Sequence, residues 1–153
     1  FLKMKMKISK DKFYEICKLY ENNKSIYFLQ KYNQEKATKK IYCYNHSFIN
    51  AISHTKKFKN EFSNLVFLEL INKHNDIYYL DNIDFYIKSK NIAIVPIPFF
   101  NTFLTGNLIK KIIKSAQELN INEINIITIS NNEKISDPKL KIIVLPFYEW
   151  ALS

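Results

Sequence analysis

The chain has 153 residues, of which 47% are hydrophobic, and this length suits one globular domain with a substantial core. Its formal net charge is +9, yet all 23 basic residues are lysine, so the bidentate arginine contacts that read guanine are excluded. No run of eighteen apolar residues occurs, which argues against a transmembrane helix and a membrane partner.

The start of the chain and its cysteines indicate the setting of the protein. The sequence begins at Phe1 rather than methionine, so we expect a piece of a longer protein. Its lysine-rich start lacks the apolar segment of a signal peptide. Cys17 and Cys43 have neither metal-site nor disulfide spacing. These features together predict a cytoplasmic protein.

A helix and a hairpin are predicted in the first third of the chain. Ser9 can cap a helix that ends near Asn22. The apolar residues of this helix follow the i, i+3, i+4, i+7 spacing of one face: Phe13, Ile16, Cys17 and Tyr20. Two aromatic and β-branched runs, at residues 26–29 and 41–44, predict a β-ribbon around a lysine-rich loop. Helix and ribbon together resemble the end of a winged helix.

A longer helix and a three-stranded meander are predicted next. A short helix around residues 48–52 leads into one at about 58–73, on which Leu65, Val66 and Glu69 share a face. Glu69 is therefore expected to point toward the sheet. The strands that follow are predicted at residues 76–81, 83–88 and 92–97, with turns at Asp81-Asn82 and Lys90-Asn91.

The last part of the chain predicts a crossover. A helix at about 105–119 has one apolar stripe, made of Leu108, Ile109, Ile112, Ile113 and Ala116. It can cross the sheet and deliver a strand at 124–129 parallel to an earlier strand. A final strand is predicted at 140–145. The predicted class is α/β, with a mixed sheet flanked by helices.

The order of these elements resembles the restriction-endonuclease-like fold, in which a helix and three strands precede a crossover helix and two strands. We predict two units on this basis. Residues 1–45 form the helix and β-ribbon, and residues 46–153 form the nuclease-like domain.

The resemblance extends in part to the PD-(D/E)xK signature of nucleases. Glu69 on the helix and Asp84 on the hairpin match its opening, and the resemblance implies that they are relics of a catalytic Mg²⁺ site. An acid and a lysine should follow near Val95 and Ile97, where the sequence is apolar. The signature is therefore incomplete.

Residues 25–153 resemble a second group, the carboxyl-terminal domain of unknown function that follows the ATPase module in many prokaryotic AAA+ ATPases. Six segments carry the resemblance in order: SIYFLQKYN, KKIYCYNHSFINAI, NLVFLEL, IYYLDNIDFYI, ELNINEINIIT and IIVLPFYEWAL. The chain departs from the family at Asn45, where an aspartate is frequent, and at Ser63, where a glutamate is frequent.

These resemblances predict an accessory, catalytically inactive interaction module whose partner is the ATPase module of the same polypeptide. Self-association is a further expectation, and the aromatic segment with Tyr27, Phe28, Tyr42 and Tyr44 is the expected docking surface. ATP would bind the parent protein, because a chain with the single glycine Gly106 cannot form a Walker A loop. This fragment is then not an enzyme and carries no cofactor.

Two alternatives remain open. The first is an active metal-dependent DNA nuclease that uses Asp84, Glu69, Mg²⁺ and a displaced lysine, Lys88 or Lys90. The second is a DNA-binding module that uses the basic amino-terminal part, since residues 1–60 hold 14 lysines against 4 acids. The predicted phosphate contacts are Lys10, Lys12, Lys36, Lys39 and Lys40. The histidines, His46, His54 and His74, lack metal-site spacing, so no metal ligands are predicted.

Overall fold

The structure is a computed structural model, and it describes residues 9–45 and 58–153. Within these ranges lie four helices: α1 (Lys10–Asn22), α2 (Phe58–Lys73), α3 (Thr102–Glu118) and α4 (Phe147–Ala151). The strands are β1 (Ile26–Leu29), β2 (Lys40–Cys43), β3 (Ile77–Leu80), β4 (Ile83–Ile87), β5 (Ile92–Pro96), β6 (Glu123–Thr128), β7 (Glu133–Ser136) and β8 (Lys141–Pro146). The short helix predicted at 48–52 lies outside the described residues.

Six strands form one mixed sheet in the order β3-β4-β5-β6-β8-β7. The first three form the predicted antiparallel meander, while β5, β6 and β8 run parallel. Helix α3 joins β5 to β6 as the predicted crossover. Strand β7, which the sequence did not predict, is an antiparallel edge strand on β8. The predicted α/β class, with a mixed sheet flanked by helices, is confirmed.

Helix α3 covers one face of the sheet. Its residues Ile109, Ile112 and Ala116 are buried in one apolar cluster with Val95 and Ile126 of the sheet. The three lysines of α3 are exposed, as the predicted stripe requires.

In the described part of the chain, no helix has the length and apolar character needed to span a bilayer.

Helix α2 packs on the opposite face, together with the ribbon of β1 and β2. Val66, Phe67 and Leu70 of α2 are buried in a second apolar cluster with Phe85 of β4. The predicted inward stripe of α2 is wrong at Leu65, which is 40% exposed. The buried side of α2 instead includes Asn64 and Phe67, because these residues contact Cys43 and Tyr42 of the ribbon.

Asparagine provides most of the left-handed backbone in this glycine-poor chain. Positive φ angles occur, among the described residues other than glycine, at Lys24, Asn33, Asn82, Asn91 and Asn120. Asparagine tolerates this conformation better than most residues with a side chain. Asn82 and Asn91 lie in the two turns of the meander, where the sequence predicted turns.

Helix α1 is confirmed with its predicted cap, since the Ser9 hydroxyl accepts a hydrogen bond from the backbone N–H of Lys12 at 3.2 Å. None of its residues is buried. Phe13 and Tyr20, two residues of the predicted apolar face, are 53% and 43% exposed. The helix therefore leaves apolar side chains on the surface.

The ribbon is joined to α2 by one buried side-chain amide. Asn64 of α2 is only 1% exposed, and its Oδ1 accepts the backbone N–H of Cys43 at 2.8 Å while its Nδ2 donates to the Cys43 carbonyl at 2.9 Å. Beside it, the ring of Tyr42 stacks on Phe67 with centroids 4.1 Å apart. The side-chain amide of Asn64 thus makes the same two hydrogen bonds with Cys43 that the backbone of a neighbouring strand would make.

The predicted division of the chain into two units, with a boundary at residue 45, stays a prediction.

We predict that Asn64→Leu lowers the free energy of unfolding by about 2–3 kcal/mol, because it leaves a buried N–H and a buried carbonyl without partners. Urea denaturation measures the change. Asn72→Leu is the matched control, since Asn72 lies on the same helix with its side chain exposed. Equal stabilities of the two variants would contradict a structural role for the amide.

Candidate functional site

Asp84 lies on the α2 side of the sheet because of a β-bulge. Strands β3 and β4 fall out of register between Tyr78 and Leu80, so Tyr79 alone lies opposite both Asp84 and Phe85. A bulge of this kind interrupts the alternation of side chains along a strand. Simple alternation along β4 would place Asp84 and its neighbour Phe85 on opposite faces of the sheet, whereas both lie on the α2 side.

Asp84 forms an ion pair with the ribbon. The Nζ of Lys40 in β2 lies 3.1 Å from its Oδ1, and the Asp84 side chain is 21% exposed. The same Nζ lies 4.9 Å from the centroid of the Tyr79 ring, a cation–π distance. Burial and the negative charge of Asp84 together raise the pKa of Tyr42. The aspartate is thus a charged group held by a lysine.

Glu69 is held by a different lysine. Its Oε1 lies 3.2 Å from the Nζ of Lys73, one turn along α2, and Lys73 also donates to the carbonyl of Ala151 in α4 at 2.7 Å. Both carboxylates belong to the layer on the α2 side of the sheet. Asp84 contacts the ribbon, however, whereas Glu69 is linked to α4. From the inward position of Glu69 and the alternation around Asp84, the sequence also predicts that the two carboxylates approach each other across one groove between helix and sheet, and this stays a prediction.

The two β5 positions expected to complete the nuclease signature face the other way. Val95 and Ile97 are buried in the apolar cluster under α3. Ile94, by contrast, belongs to the cluster under α2, on the side of Asp84. An acid or lysine at positions 95 and 97 would therefore not reach Asp84.

Metal-ligating side chains do not gather in the described part of the chain. No three His, Cys, Asp or Glu residues there form a group that could hold a metal ion. His46 and His54 lie outside the described residues. The lack of a resident metal stays a prediction.

The predicted nucleic-acid contacts divide between α1 and the ribbon: Lys10, Lys12, Lys36, Lys39 and Lys40. Lys12 pairs with Glu15 at 2.9 Å, and Lys40 pairs with the signature aspartate. Lys36 and Lys39 are exposed in the loop between β1 and β2. This loop is the part of the predicted basic surface that is best placed to meet phosphate.

A groove that the sequence did not predict lies on the α2 side of the sheet, among α2, α4 and the starts of β5, β6 and β8. It has a volume of about 360 Å³. Its apolar walls include Leu70, Ile94 and Trp150, and its polar groups include Lys73, His74, Lys90, Glu123 and Asn125. Ligand sites in open α/β sheets usually lie at the carboxyl ends of the strands, so strand order gives no reason to expect this one.

Asn125 of β6 is the unusual residue of this groove. It is 8% exposed, and its Nδ2 donates to Oε1 of Glu123 at 3.0 Å. Since a carboxylate only accepts hydrogen bonds, this contact fixes the orientation of the amide. Its Oδ1 is buried and has no hydrogen-bond partner within the described residues. The sequence contained one sign of this site, an asparagine inside the apolar run of residues 124–129. Polar residues are rare in buried strands, and those that occur are usually hydrogen-bonded.

Two lysine–glutamate ion pairs lie at the groove. Glu123 accepts a hydrogen bond from Lys141 at 2.6 Å, and Lys73 is paired with Glu69. Burial and the nearby cation of Lys90 lower the pKa of His74, which favours the neutral imidazole. Lys90 is exposed at the groove rim.

Comparison of the chain with protein-family models, curated proteins and solved structures finds no match. The resemblances drawn from the sequence remain predictions.

We predict that Asn125→Leu changes the free energy of unfolding by less than about 1 kcal/mol, although Asn125 is nearly as buried as Asn64. Leucine removes an unpartnered buried oxygen, and this gain offsets the lost hydrogen bond to Glu123, which keeps Lys141. Urea denaturation beside Asn64→Leu makes the comparison. A loss as large as that of Asn64→Leu would show that the amide of Asn125 is fully satisfied.

Proposed function

We propose that this chain is a nuclease-like interaction module without catalytic activity, which serves as the accessory carboxyl-terminal domain of a prokaryotic AAA+ ATPase. The proposed setting is the cytoplasm. The proposed partners are the ATPase module of the same polypeptide, a second copy of the chain and nucleic acid. ATP, in this proposal, binds the parent protein.

The Lys40–Asp84 ion pair is the main observation that supports a lack of catalytic activity. Mg²⁺ requires several oxygen ligands in near-octahedral geometry. Asp84 instead has an ammonium group 3.1 Å away, while Glu69 is engaged by Lys73. Val95 and Ile97 are turned into the opposite apolar cluster. The residues that match the signature therefore do not supply a set of metal ligands.

The active-nuclease alternative rests on the same ion pair. Active sites of this class combine a metal-binding carboxylate with a lysine, and the lysine beside Asp84 is Lys40 rather than the predicted Lys88 or Lys90. A direct assay separates the two functions, because an active enzyme must cleave DNA through Asp84.

An interaction role is supported by apolar side chains on the surface of α1 and the ribbon. Phe13, Tyr14, Leu19, Ile41 and Tyr44 are each more than half exposed. Tyr42, expected to be part of the docking surface, is instead buried against α2. The docking surface that we propose therefore consists of Ile41 and Tyr44 on the ribbon, with α1 beside them.

The DNA-binding alternative is favoured by one local feature, the exposed lysines Lys36 and Lys39 of the ribbon loop. Contacts from such lysines are made to phosphate and carry little sequence information. This activity is compatible with an accessory module.

We predict that the purified chain leaves plasmid and single-stranded DNA intact in the presence of Mg²⁺ or Mn²⁺, with gel electrophoresis as the measurement. Asp84→Ala then has no effect on DNA. Asp81→Ala is the control, since Asp81 is also paired with a lysine, Lys31, but lies at the turn before β4. Metal-dependent cleavage that Asp84→Ala abolishes and Asp81→Ala preserves would establish the active nuclease instead.

We predict that Ile41→Lys and Tyr44→Lys change the ATPase rate or assembly of the longer polypeptide by about fivefold or more, as loss of a docking contact typically does. ATPase assays and light scattering measure the effect. Tyr148→Lys, at an exposed tyrosine of α4, is the control and leaves both unchanged. Unchanged rate and assembly in all three variants would exclude the ribbon as the docking surface.

A further inference from the structure

Helix α1 carries apolar side chains that belong to neither core of the structure. Within the described residues, none of its members is buried and neither apolar cluster includes a residue of this helix. Phe13 and Tyr20 of the apolar stripe are exposed, and Leu19 beside them is 62% exposed. Contiguous exposed apolar groups of this kind mark an interaction surface.

Two charged residues lie beside this stripe, one near each end of the helix. Lys10 is the first residue of α1 and Glu21 the last but one. They are eleven positions apart, which is close to three turns at about 3.6 residues per turn, so both lie on the same side of the helix as Cys17. Both are exposed, and neither has an ion-pair partner within the described residues.

This arrangement of charge is complementary to a second copy of the same helix. In an antiparallel pair related by a two-fold axis, the start of one helix lies beside the end of the other. Lys10 then meets Glu21 of the second copy, and Phe13 meets Tyr20 of the second copy. Each contact occurs twice. A parallel pair would instead place lysine beside lysine and glutamate beside glutamate, which is repulsive.

We propose that α1 pairs antiparallel with α1 of a second copy, so that the chain forms a two-fold symmetric dimer. The proposal rests on the self-association that is part of the proposed function. It assigns this contact to α1 rather than to the ribbon, so Ile41 and Tyr44 stay accessible to the ATPase module.

The dimer is expected to be weak. Each helix has 13 residues, so the contact between them is small. Interfaces below about 1,200 Å² are typical of transient complexes. We therefore expect a dissociation constant between about 1 µM and 1 mM, within the range that sedimentation equilibrium of the whole chain measures.

Alanine variants test the apolar part of the contact. Phe13→Ala and Tyr20→Ala each weaken the dimer by about tenfold or more, because a substitution at a two-fold interface removes two contacts. Alanine favours helix, so α1 itself is retained, which circular dichroism checks. Tyr148→Ala, at an exposed tyrosine of α4, is the control and leaves the dissociation constant unchanged.

Charge reversal tests the direction of the pairing. Lys10→Glu alone and Glu21→Lys alone each place like charges together twice, and each weakens the dimer by about threefold or more at low salt. The double variant with both changes restores the affinity of the unaltered chain, because the attraction is only reversed in sign. Both changes suit the helix dipole, so neither weakens α1. Lys18→Glu, on the other side of the helix from Phe13, is the control and has little effect.

Cys17 provides a geometric readout. It lies midway between Lys10 and Glu21, so the two-fold axis brings it near Cys17 of the second copy. In a Cys43→Ser background, which removes the buried second thiol, a short bismaleimide links two chains, and a denaturing gel shows the product. Linkage falls in Lys10→Glu and returns in the double variant.

Three results would overturn the proposal, and they bear differently on the proposed function. A chain that stays monomeric up to about 1 mM excludes both the pairing and any self-association, but leaves the ATPase partner and the lack of catalysis untouched. A dimer that Ile41→Lys disrupts and Phe13→Ala does not retains self-association and moves it to the ribbon. A double charge variant as weak as the single variants excludes the antiparallel arrangement.

Discussion

The buried amide of Asn64 is the contact on which the α2 side of the structure depends. A sheet with two apolar faces must have both covered, and α3 packs on one of them. On the other face, α2 shares the task with the ribbon and α4, and β2 is kept against α2 by the paired hydrogen bonds between Asn64 and Cys43. The aromatic stack of Tyr42 on Phe67 follows from this placement.

The position of the ribbon also determines the chemistry of Asp84. Because β2 is fixed beside α2, Lys40 reaches Asp84, which the bulge in β4 has turned to the same side. One inserted residue in the pairing thus changes which face of the sheet a carboxylate occupies. A signature read as spacing along the chain does not include this shift, which is why Val95 and Ile97, counted from Asp84, fall on the opposite face.

Sequence periodicity predicted the elements that bury one face against the core. The stripe of α3 and the bounds of α2 follow from repeated apolar residues, and the meander turns follow from asparagines that accept positive φ. Strand β7 was missed because Glu133–Ser136 contains one apolar residue, Ile135, which packs against the core but gives no alternating pattern in the sequence. The apolar stripe of α1 has the predicted spacing and is nevertheless exposed, because spacing defines a stripe but does not provide a partner for it.

The candidate sites, too, could be predicted only as far as residue types show them. Residue types could indicate Asp84 and Glu69, but which lysine neutralises each depends on tertiary contacts between distant segments. The groove depends on such contacts entirely, since the starts of three strands meet the ends of two helices there. Its one local sign is Asn125, a polar residue between the isoleucines Ile124 and Ile126 of β6. In a core where an apolar residue would fit, an amide with an unpartnered oxygen is evidence for a requirement other than stability. That reasoning marks Asn125 as the residue of the groove whose presence stability alone does not explain.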